Sequence, residues 1–234
     1  MKAIIDGDVF NHWSARATET PEEAEEKLHE LMEDAIASSF ADEYVVAVKG
    51  KGNYRKEIFS EYKGNRKPLD ADLKERIVRT HKVLISEYDA EMAHDQEADD
   101  LVRIWAEEAR KDGKDFVVVA EDKDLNCIPG PHYNPRKGIH FYVTEEEALL
   151  LFHQQLLTGD SADNIKGLWK VGPVTAQKIL AKVESKDYMQ AVISTWKERR
   201  PDDWQEGLDM CGKLIYIRKQ PDEIWSLEEY LNGK

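Results

Sequence analysis

Apolar positions recur along the chain with two different periods. Lys2 to Asp6 is a short apolar run closing on Asp-Gly, the pattern of a buried strand followed by a tight turn. Thr20-Pro21 supplies an N-cap and a first-turn proline, Glu22 and Glu23 follow, and Leu28, Leu31, Met32, Ala35, Ile36 and Phe40 repeat at helical spacing. Tyr44 to Val48 predicts a second strand, Val83 to Tyr88 and Phe116 to Ala120 two more, and Ile139 to Val143 a fifth. Helical patterns lie between them, over Leu69 to Lys82 and Glu97 to Arg110. This alternation predicts an α/β domain with a largely parallel sheet. From Glu145 onward the pattern turns helical, punctuated by Gly159, Gly167, Gly172-Pro173 and Pro201, which predicts a helical subdomain.

Composition narrows the class. The 234 residues carry 47 Asp and Glu against 33 Lys and Arg, a formal net charge of −14, and the charged and hydrophobic fractions are those of an ordinary globular chain. No apolar run approaches the roughly 18 residues of a membrane span, and the start turns acidic too soon for a secretory leader. Cys127 and Cys211 form no disulfide framework and fit a reducing cytoplasm. The acidic balance argues against a nucleic-acid partner, unless cations neutralise the acids where they gather and the basic residues cluster elsewhere. Both patterns are present.

Asp6 closes the first strand, and Asp122 and Asp124 follow Phe116-Val-Val-Val-Ala120 directly, so all three fall at carboxyl ends of strands, where open parallel sheets bind ligands. Glu97-Ala-Asp99-Asp100 opens a helix whose apolar stripe is Ala98, Leu101, Trp105 and Ala109. A helix dipole favours one or two acids there and accounts less well for three in four positions. Gly159-Asp160-Ser-Ala-Asp163-Asn164 adds two more carboxylates, for which a turn role is the plainer explanation. Eight carboxylates brought together cannot all stay ionised without compensation. Mg²⁺ or Mn²⁺, two ions about 4 Å apart, would supply it and would assist in-line phosphoryl displacement. The Glu-rich stretch near residue 25 reads as a solvated helix face. No His-Glu-x-x-His or Cys-x-x-Cys spacing supports zinc, and no serine lies in a nucleophile-elbow context.

The densest positive stretch runs from Lys49 and Lys51 through Arg55 and Lys56 to Tyr62-Lys63-Gly-Asn-Arg66-Lys67. With Tyr54 and Tyr62 interleaved, it matches the way proteins grip unpaired nucleic-acid ends by phosphate neutralisation and stacking. A solubilising loop is the alternative. Asn164-Ile-Lys166-Gly167-Leu-Trp-Lys170-Val171-Gly172-Pro-Val-Thr175-Ala176 reads as a helix end, a glycine turn and a helix start. Backbone N–H groups there would meet a phosphate, with Lys166, Lys170 and Lys178 supplying charge.

In order along most of the chain, Ile4-Ile-Asp-Gly7, Glu61-Tyr-Lys-Gly-Asn-Arg66, Glu97-Ala-Asp-Asp100, Glu121-Asp-Lys-Asp124, Gly159-Asp-Ser-Ala-Asp-Asn164 and Val171-Gly-Pro-Val-Thr-Ala176 resemble the 5′-nuclease (flap endonuclease) superfamily, in particular the short bacteriophage 5′-to-3′ exonucleases. The resemblance implies a PIN-like α/β nuclease domain over about 1–145 with a short helical arch over about 62–96. It also implies a helical subdomain over 146–234 carrying a helix–three-turn–helix over about 158–184. By position, Asp6, Glu97, Asp99 and Asp100 match a first metal cluster and Asp124, Asp160 and Asp163 a second, with Asp122 placed to serve both. Lys63 and Arg66 match residues that contact the scissile phosphate, and Tyr62 matches a base-stacking position. Gly172, Thr175 and the neighbouring lysines match the duplex-holding element, and Gly167, Lys170 and Val171 the backbone that takes a monovalent cation such as K⁺. Two departures bear on the structure. The family usually carries another Asp after the second strand, where this chain reads Val48-Lys-Gly-Lys-Gly-Asn-Tyr-Arg55, and Lys170 stands where a glycine often sits.

The expected activity is divalent-metal-dependent hydrolysis of phosphodiesters near 5′ ends, flaps or nicks of DNA, by a monomer in the cytoplasm (the host's, for a phage-encoded chain), in replication or repair. RNA–DNA hybrids are a further substrate class. Two alternatives stay open: a catalytically impaired branched-DNA-binding protein, prompted by the absent Asp, and a PIN-type ribonuclease, which leaves Gly172-Pro-Val-Thr-Ala176 unexplained.

Overall fold

The computed structural model describes residues 1–233 and divides into two compact units. The first comprises residues 1–54 and 67–143, the second residues 55–66 and 144–234. The expected division at 145/146 therefore lacks one feature, the transfer of 55–66 to the C-terminal unit. Arg55 is the reason: its guanidinium donates to the carbonyls of Leu214 (3.0 Å) and Tyr216 (2.6 Å) of that unit.

In the first unit, β1 (Lys2–Asp6), β2 (Glu43–Lys49), β3 (Glu91–Ala93), β4 (Phe116–Val119), β5 (Gly130–Asn134) and β6 (Ile139–Val143) form one sheet in the order β3-β2-β1-β4-β5-β6. All pairs are parallel except β5–β6, a hairpin. Strand order reverses at β1, so the crevice between the carboxyl ends of β1 and β4 is the topological switch point. Ala3, Ile5, Val46, Val48, Val117 and Val119 form the centre of the core with Phe10, Leu28, Met32 and Leu84 from the helices. A near-continuous apolar run in β1 and β4 is what a parallel strand buried on both faces requires.

Three local expectations are corrected. The Asp-Gly after β1 is no turn: Asp6 is the N-cap of α1 (Gly7–Ala17), its carboxylate accepting from Asp8 N–H at 3.1 Å. Val83 to Tyr88 is no strand but the end of α4 (Ala71–Glu87), whose buried face is Leu73, Thr80, Val83 and Leu84. That face packs α4 beside α1 and α2 (Pro21–Ser38), so residues 71–87, within the stretch expected to form the arch, are a helix of the flanking layer of the α/β unit. α2 keeps its expected start, with a Thr20–Glu23 capping box and Pro21 in the first turn. α5 (Ala98–Lys111) lies against β1 and β2.

The second unit is helical: α6 (Glu145–Thr158), α7 (Pro173–Leu180), α8 (Tyr188–Arg199), α9 (Trp204–Ile215) and α10 (Leu227–Leu231), with α3 (Tyr54–Ile58) at the chain's passage into it. Between α6 and α7 stands a two-stranded ribbon, β7 (Gly159–Asp160) with β8 (Ile165–Lys166). Trp196 is fully buried and donates Nε1–H to Leu156 O at 2.9 Å.

Burial lowers His132 and His153 below the ordinary imidazole value of 6.5, each keeping one ring N–H on a backbone carbonyl, Ile128 O and Leu149 O. A histidine depressed by folding contributes stability present above pH 6.5 and lost as pH falls through its folded value. Melting temperature is therefore expected to fall as pH drops from about 7 toward 5, and His153→Gln should flatten that slope. An unchanged slope in both His153→Gln and His132→Gln would contradict it.

Candidate active site

The carboxyl edge of the parallel sheet is built by three chain exits. Asp6 leaves β1 and is 3% exposed. Asp122 follows β4 as the N-cap of a 3₁₀ turn (Lys123–Cys127), its carboxylate accepting from Asp124 N–H at 2.9 Å. α5 begins just beyond β3, with Glu97 N–H donating to the fully buried Asp100 carboxylate at 2.9 Å and Asn53 Nδ2 donating to Glu97 Oε1 at 3.0 Å. Asp100 thus acts as a helix-start acceptor, and the charges of Asp99, Asp100 and Asp124 raise the buried Cys127 thiol while Arg103 lowers it. Burial pushes that thiol up to about 11, so it is inert as a nucleophile.

One acid at this edge escaped the sequence reading. Asp8, two residues past Asp6 in the first turn of α1, accepts from Lys49 N–H at 3.1 Å at the end of β2. His81 Nε2 donates to Lys49 O at 2.8 Å, so α1 and α4 both hold that strand end. The Asp-Gly-Asp spacing is the signal that could have found it, since a helix starting at Gly7 turns Asp8 back to the strand edge. The absence of an Asp after β2 also has a steric cause at one position. A Cβ at Gly50 would stand 2.1 Å from Ala93 O, so no side chain fits there, and Asp8 brings a carboxylate to this strand end from the neighbouring helix instead.

Burial first, then the charges of Asp8 and Asp122, hold the Asp6 carboxyl well above the ordinary carboxylate range. Burial likewise raises Asp8, opposed by its bond from Lys49 N–H. Such a group gathers negative charge, which His12, His81 and Lys49 offset at Asp8. An all-oxygen donor set of this kind fits a hard divalent ion that keeps part of its water shell. Among the described residues, Glu25, His29 and Glu87, on α2 and α4, bring three ligand atoms within 4.8 Å of one another.

In the second unit, Asp163 is the centre of a basic cluster. Arg66 reaches its Oδ1 at 2.5 Å, Tyr62 Oη donates to Oδ2 at 3.1 Å, Lys63 Nζ lies 3.5 Å from Oδ2, and Lys63 N–H donates to the Asp163 carbonyl at 2.9 Å. Asn65 and Asn164 tie the same two loops together through Ser161 O and Glu61 O. Asp160 accepts from Ala162 N–H at 2.7 Å, the turn role anticipated for it. Lys63 and Arg66 are therefore held by a carboxylate that the sequence reading had assigned to metal.

Two members of the expected DNA-binding stretch are corrected. Arg55 is 2% exposed and spends its donors on backbone carbonyls, so it cannot meet a phosphate. Tyr62 is also 2% exposed, packed in the core of the second unit, so its ring is closed to a stacking base. Tyr54 is buried too, so neither aromatic of this stretch offers its ring to a nucleic-acid base. Lys49 and Lys51 are exposed, as are Lys166, Lys170, Gly172 and Lys178, while Thr175 is half-buried and Val171 buried. Gly167 passes so close to Thr158 and Gly159 that a Cβ would lie 2.1 Å from the Thr158 carbonyl carbon.

Residues 8–148 match the family model described as 5′-3′ exonuclease, N-terminal resolvase-like domain. The chain is similar to DNA polymerase I of Bacillus subtilis (36% identity over 153 residues, 58% of this chain), spanning only 17% of that protein's length. It is also similar to the flap endonuclease Xni of Shewanella amazonensis, with 29% identity over 182 residues, covering 74% of this chain and 72% of the relative. Its fold resembles that of the bacteriophage T5 flap endonuclease, crystallised with DNA and metal ions, at a TM-score of 0.63 and 14% identity over 92% of this chain and 98% of the other.

Proposed function

The chain belongs to the 5′-3′ exonuclease family, and from that premise we propose that it hydrolyses phosphodiester bonds near the 5′ ends of duplex, nicked or flapped DNA with the help of divalent cations. The observation that carries this reading is Asp6 at the switch point, buried and with its carboxyl raised by burial and then by the charges of Asp8 and Asp122. Burial and neighbouring charge disfavour the ionised Asp6, and a bound cation would offset both. Mg²⁺ or Mn²⁺, when bound, would activate water and balance charge on the reacting and leaving oxygens.

Asp6, Asp8 and Asp122 would hold such ions from the strand ends, and Glu97, Asp99, Asp100 and Asp124 would complete the set from the start of α5 and the 3₁₀ turn. Asp160 and Asp163 are assigned to a second cluster by the sequence resemblance. Lys63 and Arg66 would exchange Asp163 for the scissile phosphate and neutralise charge as it grows on the phosphoryl oxygens. The exposed Lys166, Lys170 and Lys178 with the backbone at Gly172 and Thr175 would hold duplex DNA without reading its sequence. A K⁺ ion at the backbone of Gly167, Lys170 and Val171 belongs to the same proposal.

The test is incubation of 5′-labelled and 3′-labelled flap, nicked and blunt duplexes, and of RNA–DNA hybrids, with Mg²⁺, Mn²⁺ or EDTA. Short 5′ products that EDTA abolishes are expected. Binding of branched DNA with no product in either metal would replace the enzyme by a structure-binding protein, and cleavage confined to RNA would replace it by a ribonuclease.

A further inference from the structure

The sheet of the first unit ends in two edges of opposite character. At one, β3 is three residues long and carries the exposed Glu91, the short and charged kind of edge that resists pairing with another chain. At the other, β6 runs five residues, Ile139-His-Phe-Tyr-Val143, with no Lys, Arg, Asp, Glu or Pro among them. Ile139 is 47% and Tyr142 67% exposed. Phe40, just past α2, is 76% exposed and stacks on His140, ring centroids 5.3 Å apart and planes 24° from parallel. It holds φ +58°, a left-handed state that is an outlier for so bulky a side chain.

Backbone direction identifies which groups this edge offers. Ala120 N–H donates to Tyr133 O at 3.2 Å, so Tyr133 turns its backbone to the β4 side, and its neighbours His132 and Asn134 turn theirs toward β6. Their partners Phe141 and Ile139 therefore face inward, and the N–H and C=O groups of His140 and Tyr142 point out past the last strand. A strand pairing there must set outward groups against outward groups. For a second copy of β6 running antiparallel, that allows His140 opposite His140, Tyr142 opposite Tyr142, or His140 opposite Tyr142. Only the last register overlaps the whole strand.

Charge favours the same register. Lys137 and Glu145, both exposed, stand two residues before and two residues after β6. With His140 opposite Tyr142, Lys137 of each copy falls opposite Glu145 of the other, one opposite-charge pair at either end of the paired strands. We propose that β6 pairs antiparallel with β6 of a second copy about a two-fold axis at Phe141, so that the sheet continues through a dimer. The second copy's Tyr142 then lies beside His140, joining the rings of Phe40 and Tyr133, whose centroids are 5.3 and 4.6 Å from that of His140. This interface replaces the monomer expected from the sequence and is independent of the DNA reading above.

The experiment is sedimentation equilibrium of the full chain at low salt, without DNA or metal. The wild type should pass from monomer to dimer between about 1 and 200 µM. Tyr142→Lys, which sets a charge on the pairing edge, should weaken the dimer about 10-fold. Lys137→Glu turns both attractive pairs into repulsive ones and should also weaken it about 10-fold, as should Glu145→Lys. The double reversal, Lys137→Glu with Glu145→Lys, should return the affinity to within about threefold of wild type. Melting temperatures check the fold of each variant, since none of the three side chains is buried. A wild type that stays monomeric to about 200 µM would overturn the inference. So would a dimer untouched by Tyr142→Lys, or a double reversal no tighter than either single change.

Discussion

Asp6→Asn is expected to lower the DNA cleavage rate about 10³-fold, ~4 kcal/mol of barrier, while leaving DNA affinity within about threefold. The change removes one charge and keeps the shape. Asp6 sits at the switch point, buried, with Asp8 and Asp122 pressing its carboxyl upward. A carboxyl raised by folding contributes stability below the ordinary carboxylate range and loses it as pH rises through its folded value, so at neutral pH without cations Asp6 burdens the fold. The asparagine should therefore melt at a higher temperature than wild type in EDTA. The wild type should gain melting temperature on adding Mg²⁺, by linkage to a cation that binds only the folded chain, and the variant should gain less. Single-turnover cleavage and melting in EDTA and Mg²⁺ check the two halves separately. Full activity in the variant, with an unaltered Mg²⁺ shift, would remove Asp6 from any cation site.

Lys63→Ala is expected to slow single-turnover cleavage about 10²-fold and to change DNA affinity by much less. The competing view is that Lys63 merely balances Asp163, 3.5 Å away, in company with Arg66 and the Tyr62 hydroxyl. The two views separate in a double mutant. If Lys63 only balances Asp163, Lys63→Ala should cost nothing further on top of Asp163→Asn, whose own loss at the metal is the reference, whereas a residue that meets the substrate adds its loss to that of Asp163→Asn. Lys63 itself takes φ +57°, a backbone state that the loop contacts to Asp163 and Glu61 hold in place, so the alanine variant needs a melting control. Equal cleavage by the double mutant and by Asp163→Asn alone would reduce Lys63 to a counter-ion.

Much of the first unit was legible because parallel strands buried on both faces announce themselves as apolar runs, and β1, β2 and β4 did so. β5 did not. Gly130-Pro-His-Tyr-Asn134 has the composition of a turn and becomes a strand only by pairing β4 on one side and β6 on the other. Val83 to Tyr88 erred the opposite way: its β-branched character was overridden by the face that Leu73 and Thr80 had already set, which continues through Val83 and Leu84. At the site, carboxylates at strand ends were readable from position alone. Asp8 was not, because its role depends on α1 starting at Gly7 with no intervening turn. Arg55 and Tyr62 show the limit for basic stretches. Their sequence neighbours are exposed, but these two are drawn inward by partners found a hundred or more residues later, which local composition cannot reveal.

The passage of residues 55–66 into the C-terminal unit makes the chain cross between units three times, after Tyr54, Arg66 and Val143. No single break in the polypeptide frees either body intact. A fragment ending at residue 145 would carry Arg55 stripped of both carbonyl acceptors and Tyr62 stripped of its packing, two buried groups turned out to water. Producing either unit alone would therefore require joining two separate stretches of the chain.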